Sequence, residues 1–213
     1  MGTEDDKRVA AVAAAQQVGD GMVVGLGTGS TVAYLIPALR SRAVDARYVA
    51  TSPATEAAAR QAGLEVLAFE GVVSLDLAID GADQVAPSRW LVKGGGGAHT
   101  REKIVAAAAD RFVVIVSANK VVDRLRPPVP LELLEFGIDS TLRRLGALGP
   151  VQRRSVPRSP DGGVIADLLA PVEDADALAA ELDGVAGVVA HGLFPPVLVS
   201  QVIVGRDGEA SAS

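Results

Sequence analysis

Short, mostly apolar runs recur along the first 117 residues at spacings that leave room for one helix between many of them. Met22 to Leu26, Ala46 to Ala50, Leu64 to Phe69, Leu75 to Ile79, Trp90 to Val92 and Phe112 to Ser117 all have strand length. A strand without a polar face must be covered on both sides. Helical connections supply that cover in a doubly wound, mostly parallel α/β sheet. The connections read as helices for local reasons. Val9 to Val18 is alanine-rich and follows Glu4, Asp5 and Asp6, acids that suit the positive end of a helix dipole. Gly27-Thr28-Gly29-Ser30-Thr31 turns into a helix running towards Arg40. Thr51 or Ser52 can cap a helix with Pro53 in its first turn. Another helix is expected from about Thr100 to Ala109. Ligand sites in such sheets gather beyond the strand carboxyl ends, which places Gly27, Asp80, Lys93 and Asn119 at one edge.

The pattern loosens after Arg126, where Pro127, Pro128 and Pro130 form a break. Beyond it the sequence predicts helices over 138–145 and 173–182, with strands near 150–156, 164–169, 185–190 and 197–204. This reads as a smaller α+β domain over about 127–196, with the last strand returning to a Rossmann-like domain of 1–126 and about 197–213. Arg206 to Ser213 reads as a polar tail with little to bury.

Composition narrows the function classes. A chain of 213 residues is long enough for one core with a smaller attached domain. Aromatics make up only 3%, so that core must be built from Val, Leu, Ile and Ala. The net charge is -6 and no Lys/Arg block stands out, which argues against a nucleic-acid partner. A small phosphorylated metabolite stays compatible, because a few local donors can hold one phosphate on an acidic protein. The absence of cysteine excludes disulfides, thiolate catalysis and Cys-ligated metals, and fits a reducing compartment. No secretion signal is visible in residues 1–20, and no apolar stretch reaches the roughly 20 residues that span a bilayer. A cytoplasmic protein without a membrane partner is the expectation.

Two motifs concentrate the chemistry. Asp80-Gly81-Ala82-Asp83 brings two carboxylates onto one turn, and Lys93 precedes Gly94, Gly95, Gly96 and Gly97. Four successive glycines raise the entropic cost of folding, so either a backbone that closely approaches a ligand or a flexible hinge has to account for them. Paired carboxylates beside a lysine can hold different protonation states, as proton transfer at carbon and oxygen requires. Equally, Asp80 could cap its turn while Asp83 faces water. Glu102, in the first turn of the helix from Thr100, could complement the helix dipole or act as a base. Gly27 to Thr31 could hold a phosphate at a helix start or serve only as turn and cap. The loop lacks the Gly-Lys-Ser/Thr ending of a Walker A motif, and Val32 stands where a dinucleotide fingerprint has its third glycine. His99 and His191 have no metal-ligand spacing, so no metal is expected.

Together, Gly25 to Thr31, Asp80 to Asp83, Lys93 to Lys103, Asn119-Lys120 and Pro130-Leu131-Glu132 resemble the type A ribose 5-phosphate isomerases across almost the whole chain. The resemblance implies a homodimer or homotetramer that interconverts ribose 5-phosphate and ribulose 5-phosphate in the pentose phosphate pathway without a cofactor. It implies Glu102 as the base between C1 and C2. Asp80 would assist ring opening, Asp83 would orient and protonate oxygen, and Lys93 would stabilise the enediolate with the N–H groups of Gly94, Gly95 and Gly96. Thr28, Gly29, Ser30 and Thr31 would bind the substrate's polar end, with Lys7 and Lys120 at the phosphate. Two departures stand out: Gln84 where the family usually has glutamate, and His99 where it has leucine. They keep open a paralogue acting on another sugar phosphate, or a binding protein without catalysis.

Overall fold

The computed structural model describes residues 3–213. Along the chain run α1 (Thr3–Ala15), β1 (Val23–Leu26), α2 (Val32–Arg42), β2 (Arg47–Ala50), α3 (Pro53–Gln61) and β3 (Glu65–Val66). There follow β4 (Leu77–Asp80), β5 (Gln84–Val85), β6 (Leu91–Val92), α4 (His99–Ala107) and β7 (Phe112–Ser117). Next come β8 (Val129–Leu133), α5 (Ile138–Leu145), β9 (Val151–Arg153), β10 (Val164–Leu168) and α6 (Ala175–Asp183). The chain closes with β11 (Val188–His191), β12 (Leu193–Phe194), β13 (Gln201–Arg206) and β14 (Glu209–Ala212).

Two compact units result: 1–82 with 101–121 and 197–213, and 83–100 with 122–196. The first is built on a seven-stranded sheet in the order β14-β13-β7-β4-β1-β2-β3. Every neighbour pair from β3 to β13 is parallel, and only the edge strand β14 runs antiparallel. The strand order reverses between β1 and β4, the crevice where open α/β sheets bind ligands. Val24 and Leu26 of β1 join the core cluster that holds Ala14, Leu35 and Leu39. Between them Gly25 faces the opposite way, and a Cβ there would collide with Val105 of α4. Helices therefore lie on both faces, as the apolar strands demand. The cap of α3 is Ser52, whose Oγ accepts from Thr55 N–H at 3.2 Å, with Pro53 next.

The second unit has its own core, including Trp90, Leu131, Leu133, Ala166, Leu182 and Leu193. Its four-stranded sheet runs β11-β8-β10-β9, and a three-stranded sheet runs β12-β6-β5. Every pair in these two sheets is antiparallel.

Three expectations are corrected here. Trp90 to Val92 does not enter the parallel sheet: β6 pairs antiparallel with β5 and β12, so Lys93 does not follow a parallel strand as Gly27, Asp80 and Asn119 do. Residues 83–100 accordingly belong with the second unit. The proline break carries a fully buried central strand, β8, with Pro130 opposite Asp167. The polar tail is β14, turned back by a two-residue loop in which Asp207 (φ 52°) and Gly208 (φ 84°) both have positive φ. That is the geometry of a type I′ hairpin, which an Asp-Gly pair favours.

Candidate active site

In the first unit, β1 and β4 end side by side at the point where the strand order reverses. Asp80 is buried at 3% exposure, and its Oδ1 accepts from Thr28 N–H at 3.1 Å and Gly81 N–H at 2.7 Å. A Cβ on Gly27 would strike the Asp80 carboxyl, so glycine is required there for the carboxylate to lie against the loop. The Thr28 hydroxyl turns into a hydroxyl cluster, 2.8 Å from Thr51 Oγ1 and from Ser52 Oγ and 3.3 Å from Thr55 Oγ1. Thr55 Oγ1 closes the cluster by donating to Gly27 C=O at 2.9 Å. Thr28 thus shapes the loop through its side chain, while the exposed Gly29 and Ser30 and the half-buried Thr31 lead into α2. Glu102 sits in the first turn of α4 at 4% exposure, where the helix dipole favours a negative charge. Lys7 on α1 forms an ion pair with Glu4 at 2.7 Å. Lys120 ends the 3-10 turn Ala118–Lys120 after β7, against which α1 packs.

In the second unit, the glycine run follows β6. Lys93 is 2% exposed, its N–H donates to Gly192 C=O at 2.8 Å, and its Nζ lies 5.4 Å from the centroid of the Phe194 ring. An ammonium over an aromatic face is held by the ring quadrupole even when shielded from water. Asp83 Oδ2 accepts from Gly95 N–H at 2.8 Å, so one of the amides expected to face substrate is committed to a carboxylate. Gly94 (φ 103°) makes room for His99: a Cβ there would come within 2.7 Å of Nδ1 of that fully buried ring. Gln84, the other departure, donates to Arg126 C=O and accepts from Arg126 N–H, both at 2.8 Å. A carboxylate could not supply the donor half of that exchange.

Two polar groups have duties that inspection of the sequence did not assign. Glu132 is buried and accepts from Ser159 Oγ and Thr100 Oγ1, tying β8 to the start of α4. Arg154 chelates Asp167 and reaches the carbonyls of Gly94 and Gly95. The hydrogen bonds it donates to Asp167 push that guanidinium's pKa up further, so it stays charged at any working pH. A carboxylate inside an apolar segment was the available signal for Glu132. Arg154 offered none, because its partners lie far away in sequence. Among the described residues, no group of three or more His, Cys, Asp or Glu side chains could hold a metal ion. No helix among them is long and apolar enough to cross a membrane.

The profile of ribose 5-phosphate isomerase A (phosphoriboisomerase A) matches residues 47–209. The chain belongs to that family. Ribose-5-phosphate isomerase A of Roseiflexus castenholzii is 44% identical over 95% of this chain and 92% of its own. The structure of ribose 5-phosphate isomerase A from Methanocaldococcus jannaschii superposes with a TM-score of 0.93 at 34% identity, covering 100% of this chain and 99% of that one. A D-ribose-5-phosphate isomerase solved in complex with phospho-erythronic acid gives 0.94 at 32% identity, again over 100% and 99%. Membership in the isomerase A family thus spans both units.

Proposed function

We propose that the chain interconverts D-ribose 5-phosphate and D-ribulose 5-phosphate through an enediolate, with Glu102 as the carbon base. The full-length likeness to ribose 5-phosphate isomerases carries this reading, and the buried Asp80, Lys93 and Glu102 supply the chemistry it needs. Asp80, oriented by two backbone N–H groups, assists opening of the furanose ring. Glu102 takes the C2 proton; the C–H electron pair becomes the C1–C2 double bond and the carbonyl π pair moves onto O1. Lys93 and a glycine-loop amide face that developing charge, which makes the intermediate accessible. Asp83 handles the proton passing from O2 to O1, and Glu102 returns its proton to C1, leaving the carbonyl at C2. No electron leaves the substrate, so no redox cofactor is called for. Gly29, Ser30 and Thr31 at the start of α2 bind the phosphate through backbone N–H groups, with Lys7 and Lys120 adding charge. A phosphorylated erythronic acid offers a planar carboxylate whose anionic oxygens resemble the oxygen anion of the planar enediolate, in keeping with this assignment.

Proton NMR of ribose 5-phosphate in D₂O with EDTA-treated protein tests the reading. Isomerisation accompanied by deuterium entry at C2 is the expected result. Glu102→Gln is expected to lower kcat by about 10³-fold or more while substrate still binds. Undiminished turnover by that variant removes the base assignment, and binding without exchange in the wild type leaves a sugar-phosphate-binding protein.

A further inference from the structure

Arg154, just past β9, holds the glycine loop through two of its carbonyls. Its Nε and Nη2 donate to Asp167 Oδ2 and Oδ1 at 2.7 and 2.6 Å, a two-point grip that fixes the guanidinium plane. Its Nη1 donates to Gly94 C=O at 2.9 Å and to Gly95 C=O at 3.0 Å. A trans peptide is planar, so its N–H points opposite to its C=O. The Gly94–Gly95 peptide obeys this visibly: its carbonyl meets Arg154 and its N–H meets Asp83 Oδ2 at 2.8 Å. The Gly95–Gly96 peptide has its carbonyl on the same guanidinium, so the N–H of the exposed Gly96 is directed away from it.

We infer that Arg154, braced by Asp167, is a positioning residue that sets two successive glycine peptides so that their N–H groups face anions. One anion is Asp83. The other, given the isomerase reading on which this part rests, is the substrate oxygen that gains charge. Two physical reasons make the brace necessary. Four glycines in a row have little conformational preference of their own, so something outside the loop must choose their dihedrals. A cation on a carbonyl also polarises the peptide and strengthens its N–H as a donor. Arginine is required because one group must fork to a carboxylate and two carbonyls at once, which an ammonium cannot do.

The test compares wild type, Arg154→Ala and Arg154→Lys by kcat, KM, melting temperature and amide exchange in ¹⁵N-glycine-labelled protein. Arg154→Ala is expected to lose about 100-fold in kcat with KM changed by less than about threefold. Millimolar guanidinium should restore part of that loss, and Gly95 N–H should exchange at least about tenfold faster. Should the alanine variant fail to fold, Arg154→Lys carries the test, with a kcat loss at near-native melting temperature. Wild-type kcat in a folded variant overturns the inference, and so does a kcat loss with neither faster Gly95 exchange nor guanidinium rescue. A wild type that does not isomerise ribose 5-phosphate removes the functional reading alone, because Gly95 exchange still decides the brace.

Discussion

Tyr48 on β2 is 1% exposed, and its phenol oxygen finds no hydrogen-bond partner among the described residues. Burial therefore pushes its pKa above the usual value near 10. The sign follows from linkage. Below about pH 10 the phenol is protonated in both states, and Tyr48 does not make stability vary with pH. As pH rises further the unfolded chain ionises first, and stability falls until the folded phenol ionises too. Tyr48→Phe removes this loss along with a stranded hydroxyl. It is expected to raise stability by about 1 kcal/mol at neutral pH and to flatten the alkaline decline, measured by thermal melts from pH 7 to 11. Tyr34, the only other tyrosine, is held up mainly by its hydrogen bond to Glu4, so part of the decline persists in the variant. At this scale the sequence was most legible where a side chain carries chemistry of its own. Asp80 and Lys93 stand out by type and spacing, whereas Glu102 was singled out only by the family resemblance. The duties of Thr28 and Gln84 did not, since each is set by partners more than 20 residues away.

Among the elements, α1 lies on β7 and β13, and its backbone comes close to Gly205. A Cβ there would run into the backbone carbonyl of Asp6, which cannot yield as a flexible side chain could. Gly205→Ala is expected to destabilise the protein by about 1–3 kcal/mol, read as a lower urea midpoint with unchanged slope. Strands whose apolar runs are long and buried on both faces were legible: Phe112–Ser117 is recovered residue for residue. So is the helix Ile138–Leu145. Two-residue strands such as β6 carry too little pattern to reveal which sheet they join, and β8 was hidden because proline is rarely expected inside a central strand. The last hairpin was readable in principle from Asp207-Gly208, but the wholly exposed β14 offers no alternation to confirm it.

For the whole molecule, the strand order makes 197–206 indispensable to the first unit although it follows the second in sequence. β13 lies between β7 and β14 and buries Val202 and Ile203 at 3% and 2% exposure. Ending the chain at Pro196 uncovers a hydrogen-bonding edge of β7 and the apolar face of α1, so the first unit is expected to lose its cooperative unfolding transition, read by circular dichroism. Ending it at Arg206 removes only the exposed β14 and should leave a folded protein with a lower melting temperature. The return of the last strand was legible from its valines. The assignment of 83–100 to the second unit was not, because it depends on pairings with β12 more than 100 residues on. There is a consequence for synthesis. β13 is synthesised after 122–196, so the nascent first unit must wait with one flank of its sheet open while most of the second unit emerges. Chaperone engagement during translation should concentrate on that waiting flank and cease once β13 has paired with β7.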